Sequence, residues 1–277
     1  MSGRTWLITG SNRGFGRSLT ELILQQGDRV IATTRKPDEL DDLVRLYPEH
    51  LRVFELDVTD TAGIRQVVDQ AFGLFGSIDV LINNAGYLLF GAAEELADEE
   101  ITDQINTNLI GSIQMVRAVL PYMRQQGGGH IIQHSSMCGQ IGLPALSAYQ
   151  ASKWGIEGFL EAVRLEVAPF HIKITIVEPG FAQTGLSHSS RVENKVIKAY
   201  QQSTVGNFRR LLAANRFPCP GDGEKIAKAV IAAASQENPP QRLVLGSDAY
   251  KNIQKTLNDR LSSLEQQKEI ALATDAV

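Results

Sequence analysis

The sequence predicts an α/β protein built on one doubly wound parallel sheet. Short, nearly continuous apolar runs alternate along the chain with longer segments of helical period. Strands covered on both faces have this composition, and the helices between them make the crossovers. A glycine-rich turn directly after the first apolar run is the third indication, because such a turn joins the first strand to the first helix in sheets of this kind.

Seven apolar runs predict about seven strands. The runs are short and do not alternate with polar residues, as expected for strands that are buried on both faces. They lie at residues 6–8, 30–32, 53–56, 80–82, 131–132, 174–177 and 243–245.

Three intervening segments carry the spacing of amphipathic helices. The clearest runs to about residue 75, and Asp60 or Thr61 could cap its start. A second runs from about residue 98 to the glycines at 127–129. A third runs from about residue 147 to residue 168, where Pro169 ends it.

The chain is predicted to form a single domain over residues 1–277. Neither an internal repeat nor a linker interrupts the alternation of strands and helices. A long polar segment at about 184–222 follows the sixth predicted strand, where ligand-covering loops lie in such sheets. We therefore expect a substrate-covering insertion there, and a helical tail at about 248–277.

Composition narrows the classes of partner. The net charge is −4, and no run of lysines or arginines indicates binding to nucleic acid or to an anionic membrane. The two cysteines, Cys138 and Cys219, lack the spacing of a zinc site or a disulfide framework, so we expect no metal. The first residues lack the features of a signal peptide, and no apolar run reaches the length of a membrane span. We expect a cytoplasmic protein.

The glycine-rich turn predicts a pyrophosphate site. Gly10, Gly14 and Gly16 lie between the first strand and the first helix, together with Asn12, Arg13 and Phe15. Backbone N–H groups at a helix N-terminus attract an anion, and glycine lets the backbone approach it closely. An ordinary strand-to-helix turn is the alternative.

The end of the second strand indicates which dinucleotide would bind. NAD-binding sheets place an acidic residue there for the ribose hydroxyl. This strand instead ends in Arg35 and Lys36. Arg35 and Arg13 could converge on a 2′-phosphate, because a guanidinium binds phosphate through two hydrogen bonds. We therefore predict NADP(H) in preference to NAD(H), with two merely solvated arginines as the alternative.

Further cofactor contacts are predicted after the third and fourth strands. Asp57 and Val58 follow the third strand, where an adenine edge would lie. Asn84, Ala85 and Gly86 follow the fourth, and their small size lets the backbone approach a ligand.

A tyrosine and a lysine predict proton-transfer chemistry. Lys153 follows Tyr149 by one helical turn, so the two side chains share a helix face. An adjacent ammonium would lower the phenol pKa from about 10, which makes Tyr149 a general acid or base for a carbonyl or alcohol. Ser136 would hold the same substrate oxygen. Such a pair also arises by chance on helix surfaces.

These motifs, in this order, resemble the classical single-domain short-chain dehydrogenase/reductase family, NADP-preferring subgroup, over roughly the first 185 residues. The resemblance implies a Rossmann-type fold and a catalytic set of Asn108, Ser136, Tyr149 and Lys153. Asn108 would kink its helix, and Tyr149 and Lys153 would also contact the cofactor. Pro179, Gly180 and Thr184 would contact the nicotinamide end, although Ala182 and Gln183 replace the residues usual before that threonine. The resemblance also implies a homodimer or homotetramer built on the helix at 147–168.

The substrate is expected to be an apolar ketone, aldehyde or alcohol. Its pocket is predicted to be mostly apolar, without a clear cation for an anionic substrate. The lining residues are Tyr87, Phe90, Cys138, Leu143, Phe181 and Leu186. His130 and His134, near the site, are interpreted as structural rather than catalytic.

Two other functions remain open. A protein that binds NADP(H) without turnover would have no need of the four catalytic residues. A reductase of carrier-linked 3-oxoacyl groups would need basic surface near the pocket mouth, for which Arg209 and Arg210 are candidates.

Overall fold

A computed structural model describes residues 3–182, 190–192, 196–214, 216 and 218–276. Its main feature is one sheet of seven strands, all parallel. The strands are β1 (Thr5–Thr9), β2 (Arg29–Thr34), β3 (Leu51–Glu55), β4 (Val80–Asn83), β6 (Gly129–His134), β7 (Ile172–Pro179) and β9 (Arg242–Leu245). Their spatial order is β3-β2-β1-β4-β6-β7-β9, which confirms the predicted doubly wound fold.

Helices cover both faces of this sheet. They are α1 (Gly14–Gln25), α2 (Asp41–Leu46), α3 (Thr61–Phe75), α4 (Asp98–Ile105), α5 (Gly111–Gln125), α6 (Ser147–Val167), α7 (Thr204–Ala213), α8 (Gly223–Ala234), α9 (Ser247–Gln266) and α10 (Lys268–Leu272). In the part of the chain described here, no helix is long and apolar enough to cross a membrane.

Alternation along the strands builds two separate cores. In β1, Leu7 points to the face covered by α3, α5 and α6, while Trp6 and Ile8 point to the face covered by α1 and α8. All three side chains are fully buried. The two-sided burial explains why the strand sequences are apolar without interruption.

Helix ends follow local sequence signals. Asp60 caps α3, and its carboxylate accepts hydrogen bonds from the backbone N–H groups of Ala62 and Gly63, both at 3.0 Å. Gly76 ends the same helix in the left-handed conformation, with φ of 73°. Asp222 caps α8 in the same way as Asp60 caps α3. One of the two capping residues proposed for α3, Asp60, is therefore the one used.

A small second sheet was not predicted. Strand β5 (Leu88–Phe90) pairs in parallel with β8 (Ser190–Val192), which lies inside the segment expected to be an insertion. Helix α7 lies in the same segment. Three-residue strands carry too little pattern to be recognised, and their pairing depends on contact between distant parts of the chain.

Candidate active site

The glycine-rich turn lies at the carboxyl end of β1, at the edge of the sheet where ligands bind in folds of this kind. Gly10 and Gly14 have positive φ angles of 67° and 54°, which favour glycine. A Cβ on Gly16 would lie 2.1 Å from the carbonyl oxygen of Gly10. The turn is therefore closed tightly on itself, and only glycine fits at position 16.

Asn84 fixes the turn to the end of β4. Its side-chain amide donates hydrogen bonds to the carbonyl oxygens of Thr9 and Gly10, both at 3.0 Å. In return, the Thr9 hydroxyl accepts hydrogen bonds from the backbone N–H groups of Asn84 and Ala85, also at 3.0 Å. The motif containing Asn84 thus holds the shape of the turn.

The residues present fit a dinucleotide at this edge. Helix α1 begins after Arg13 with no side-chain cap, unlike α3 and α8, and its first turn has no acidic residue. A helix N-terminus of this kind keeps its N–H groups for an anion. Asn12 donates a hydrogen bond to Glu39 at 2.5 Å. This contact places a carboxylate beside the turn, which the sequence did not predict.

Arg35, after β2, and Asp57, after β3, face each other across the edge of the sheet. A guanidinium nitrogen of Arg35 lies 4.0 Å from a carboxylate oxygen of Asp57, and both side chains are largely exposed. Burial raises the pKa of Asp57, but hydrogen bonds from Thr59 and the charge of Arg35 outweigh it, so the pKa is lowered overall. Val58 is instead buried in the core, with its carbonyl oxygen against Gly111 of α5.

Ser136, Tyr149 and Lys153 come together at the carboxyl end of β6. Lys153 is buried, and its ammonium donates a hydrogen bond to the carbonyl oxygen of His134 at 2.8 Å. The same nitrogen lies 5.6 Å from the centre of the Tyr149 ring. Ser136 follows His134 by two residues, and its hydroxyl accepts a hydrogen bond from the backbone N–H of Cys138 at 3.1 Å.

Burial, rather than the ammonium, dominates the acidity of Tyr149. Desolvation raises the pKa of Tyr149 above its usual value, and a hydrogen bond with Ser136 opposes this only in part. Desolvation also lowers the pKa of Lys153 to about 8. The phenol pKa of Tyr149 therefore lies above its usual value in the protein alone and not below it as expected, because burial is the largest cause of the shift.

Asn108 lies in a π-helical turn, Asn106–Ile110, between α4 and α5. Its side-chain amide donates to the carbonyl oxygen of Tyr87 at 2.9 Å, and its oxygen accepts from the Tyr87 N–H at 3.1 Å. The amide also lies 3.4 Å from the hydroxyl of Ser152, next to Lys153. The break in the helix thus directs Asn108 toward α6 and the segment after β4.

Four of the predicted pocket residues belong to the same apolar cluster as Tyr149. They are Phe90, Cys138, Leu143 and Phe181. Tyr87 belongs to a neighbouring cluster with Leu89. Leu186 and Thr184 lie outside the described residues. The structure adds Met137, Ile141, Phe208, Ala249 and Ile253 to the Tyr149 cluster.

Three residues of β6 and the turn after it have environments that the sequence left open, and His130 lies at the amino end of β6, away from the site near which it was expected. Burial raises the pKa of the Cys138 thiol to about 11, as expected for a packing residue. His130 shares a hydrogen bond of 2.9 Å with Thr175. Nε2 of the buried His134 has no hydrogen-bond partner among the described residues, and its ring packs on Phe15 at 4.5 Å between centroids. Burial lowers the pKa of both histidines, to about 4 and about 3 respectively, so both are neutral at pH 7.

Helix α9 also reaches the site. Asp248, in the first turn of α9, accepts a hydrogen bond from the N–H of Phe181 at 2.8 Å. A Cβ on Gly180 would lie 2.1 Å from a carboxylate oxygen of Asp248, so Gly180 is needed for this contact. Sequence reasoning did not identify Asp248, because nothing local relates it to the segment after β7.

Comparison with known proteins agrees with this arrangement. Residues 4–195 match the family described as short chain dehydrogenase. The chain is 42% identical to Oxidoreductase BOA17 of Botryotinia fuckeliana, over 98% of this chain and 99% of that protein. It is 38% identical to a 3-ketodihydrosphingosine reductase of Bacteroides thetaiotaomicron, over 87% of each chain.

Solved structures show the same fold. A short-chain dehydrogenase from Streptomyces avermitilis superposes with a TM-score of 0.91 at 37% identity, over 99% of this chain and 100% of the other. A short chain dehydrogenase from Burkholderia cenocepacia in complex with NADP superposes with a TM-score of 0.76 at 25% identity, over 96% of this chain and 97% of the other.

Proposed function

The chain belongs to the short-chain dehydrogenase/reductase family and is an oxidoreductase acting on CH–OH or C=O groups; we propose that it does so with NADP(H), using Tyr149 as the proton-transfer residue. The observation that carries this proposal is the position of Lys153. Its ammonium lies 5.6 Å from the centre of the Tyr149 ring and is fixed by the His134 carbonyl.

The proposed roles follow from position and chemistry. When bound, the nicotinamide supplies or accepts a hydride at the substrate carbon. Tyr149 donates its proton to the carbonyl oxygen in reduction and takes a proton from the alcohol in oxidation. Ser136 hydrogen-bonds the same oxygen and orients it. The raised pKa of Tyr149 keeps the phenol protonated, which suits a general acid.

Lys153 and Asn108 support the phenol. An ammonium near the ring stabilises the phenolate left after proton donation, and burial strengthens that interaction. Its pKa of about 8 also lets Lys153 exchange a proton near neutral pH. Asn108 hydrogen-bonds the Tyr87 carbonyl oxygen and contacts the Ser152 hydroxyl. It therefore fixes the position of α6 relative to the segment after β4.

NADP(H) would occupy the edge formed by the glycine-rich turn. The uncapped N-terminus of α1 would hold the pyrophosphate, with Gly10, Asn12, Gly14, Phe15 and Gly16 around it. Arg13 and Arg35 would bind the 2′-phosphate. Asn84, Ala85, Gly86, Pro179 and Gly180 would border the nicotinamide half. The relative from Burkholderia cenocepacia, solved with NADP, supports this cofactor class.

The proposed substrate is an apolar carbonyl compound or its alcohol. Phe90, Cys138, Leu143 and Phe181 surround the Tyr149 ring with apolar surface. The relative named 3-ketodihydrosphingosine reductase supports a ketone.

A carrier-linked substrate is less well supported, because the candidate cations are engaged. Arg209 pairs with the buried carboxylate of Glu95 at 2.8 Å. Arg210 donates a hydrogen bond to the carbonyl oxygen of Gln201 at 2.6 Å. Neither guanidinium therefore offers all its donors to an acidic carrier protein.

The activity is tested by following NADPH oxidation with a panel of apolar and anionic carbonyl compounds. We expect turnover of apolar ketones or aldehydes and at least a ~100-fold loss of kcat in Tyr149→Phe, since general acid catalysis contributes about that much. Tyr122→Phe is the matched control, because Tyr122 hydrogen-bonds Asp69 on the protein surface. Cofactor binding without turnover of any compound would favour the alternative of a protein that binds NADP(H) without catalysis. Activity on anionic compounds alone would refute the proposed substrate class.

Cofactor choice is tested by comparing kcat/KM with NADPH and NADH. We expect NADPH to be preferred, and Arg35→Ala to reduce that preference by roughly 10- to 100-fold, as for loss of a charged hydrogen bond. Arg45→Ala, on the exposed side of α2, is the control. Equal efficiency with both cofactors in the unmodified enzyme would refute the preference.

A further inference from the structure

Helix α9 carries an exposed apolar stripe that the catalytic proposal does not use. Tyr250, Leu257, Leu261 and Leu264 are 59%, 48%, 58% and 63% exposed. The last three follow one another at steps of four and three residues, and Tyr250 precedes Leu257 by seven. This is the spacing of a coiled-coil seam. We call these four residues the α9 stripe.

The first part of α9 packs apolar side chains on its own domain. Ala249 and Ile253 are buried in the cluster that contains Tyr149. Farther along, Arg260 lies over the ring of Trp154 at 4.4 Å and donates a hydrogen bond to the carbonyl oxygen of Gln140 at 2.6 Å. Every residue from 261 to 276 is exposed.

A helix this exposed gains little stability from its own fold. Isolated helices are marginal in water, and most helical stability in proteins comes from packing an apolar face. Three leucines in a row on the exposed side, at Leu257, Leu261 and Leu264, therefore indicate a surface that a partner covers.

The charges beside the stripe indicate what that partner is. Lys251, Asn258 and Glu265 follow at intervals of seven, so they form one line along the flank of the seam. A second α9 running antiparallel would bring each Lys251 to a Glu265 of the other chain, with the two copies of Asn258 facing each other. A parallel copy would instead place this flank against the opposite flank of the partner helix, where Lys251 meets no carboxylate and Glu265 meets only an arginine already held by Trp154 and Gln140.

The overall charge of the helix argues against a bilayer. Residues 247–272 carry four cations and four carboxylates, so they have no excess of positive charge to attract anionic lipid. The cations are Lys251, Lys255, Arg260 and Lys268, and the carboxylates are Asp248, Asp259, Glu265 and Glu269.

We propose that the α9 stripe binds the α9 stripe of a second copy of this chain in an antiparallel pair, with the two-fold axis beside residues 258–260. Leu257 then packs against the partner's Leu261, and each Lys251 lies beside a glutamate. This surface differs from the helix at 147–168, on which the family resemblance places its dimer. Asp248, in the first turn of α9, accepts a hydrogen bond from the Phe181 N–H, so pairing of the two α9 helices also stabilises the position of Phe181 after β7.

Crosslinking between chains tests the orientation. Single cysteines are placed in a Cys219→Ser background and treated with a short bis-maleimide at low protein concentration. We expect Asn258→Cys to form crosslinked dimers, because the two-fold axis brings the two copies together. Lys251→Cys alone should form few, whereas Lys251→Cys mixed with Glu265→Cys should form mixed dimers. Ser262→Cys, on the side of the helix away from the stripe, is the matched control.

Substitutions in the stripe and its flank complete the test. Leu261→Glu should abolish the Asn258→Cys crosslink while circular dichroism and the thermal midpoint show a folded chain. Glu265→Lys should weaken the crosslink, and Lys251→Glu combined with Glu265→Lys should restore it. The proposal is overturned if Asn258→Cys crosslinks no better than Ser262→Cys, or if Lys251→Cys crosslinks with itself as strongly. Binding to neutral lipid vesicles that Leu261→Glu abolishes would assign the stripe to a membrane and also overturn it.

Discussion

Glu157 accepts a hydrogen bond from the hydroxyl of Ser135 at 2.5 Å, and so joins the residue beside Ser136 to the helix that carries Tyr149 and Lys153. Both side chains are buried. Arg242 of β9 pairs with the other Glu157 oxygen at 2.6 Å and also contacts the fully buried Glu178 of β7. One guanidinium thus compensates two buried carboxylates behind the candidate active site.

Removing that guanidinium should strongly destabilise the protein. Arg242→Met leaves Glu157 and Glu178 buried without their cation, which typically costs about 3–5 kcal/mol. Glu161→Gln, which removes only the half-exposed partner of Arg242, should cost no more than about 1 kcal/mol. Urea unfolding of the two variants measures the difference. Equal losses would show that the buried carboxylates do not depend on Arg242.

A methyl group at position 16 should open the glycine-rich turn. The Cβ of Gly16→Ala would lie 2.1 Å from the Gly10 carbonyl oxygen and 2.5 Å from the Asn84 amide, so the turn must shift. We expect NADPH affinity to fall at least ~10-fold, for a loss of about 1.4 kcal/mol in binding free energy. Calorimetric titration measures it.

Gly73→Ala is the matched control for Gly16→Ala. Gly73 lies on the exposed side of α3, and an added Cβ there has no neighbour within 4 Å. This change should leave NADPH affinity unaltered and stabilise the helix by about 0.5–1 kcal/mol. Unaltered affinity in Gly16→Ala as well would show that the turn does not shape the cofactor site.

Two buried histidines should make the fold sensitive to acid. Burial lowers the pKa of His134 to about 3, whereas the unfolded chain has a value near 6.5. As the pH falls below about 6.5, the unfolded chain therefore takes up the proton first, and stability is lost down to the folded pKa.

His134→Gln should weaken this acid sensitivity. Between about pH 6.5 and 5, we expect the variant to lose roughly 2 kcal/mol less unfolding free energy than the unmodified protein, at about 1.4 kcal/mol per pKa unit. Urea unfolding at the two pH values gives the slope. His50→Gln, which removes an exposed imidazole, is the control. The same slope in all three proteins would contradict burial as the cause.

The buried ammonium of Lys153 should lower the free energy of unfolding near neutral pH. Burial lowers its pKa to about 8, from about 10.5 in the unfolded chain. Stability therefore rises with pH between these values, and below about pH 8 the full cost of the buried ammonium remains. Lys153→Met should raise unfolding free energy at pH 7 by about 1 kcal/mol, which shifts Tm by ~2–4 °C, while activity is lost. Calorimetry and the NADPH assay test both parts. A lower Tm would show that the hydrogen bond to the His134 carbonyl outweighs desolvation.

Local sequence patterns predicted the main sheet and the residues grouped at its edge. The seven apolar runs each lie in or overlap a strand of the parallel sheet. The glycine-rich turn, Asn84, Ser136 and the Tyr149–Lys153 pair come to the carboxyl ends of the strands, because parallel strands end at the same edge. These features depend on residues close together in sequence.

What the sequence determined by itself was therefore the order of strands and helices and the motifs at their ends, since periodicity and short spacing act over a few residues. Only the tertiary structure decided which distant groups meet: Arg242 with Glu157 and Glu178, Asp248 with Phe181, and Glu95 with Arg209. It also decided that burial, more than the nearby ammonium, governs the pKa of Tyr149. Contacts and desolvation of this kind depend on packing between distant elements, which no local pattern encodes.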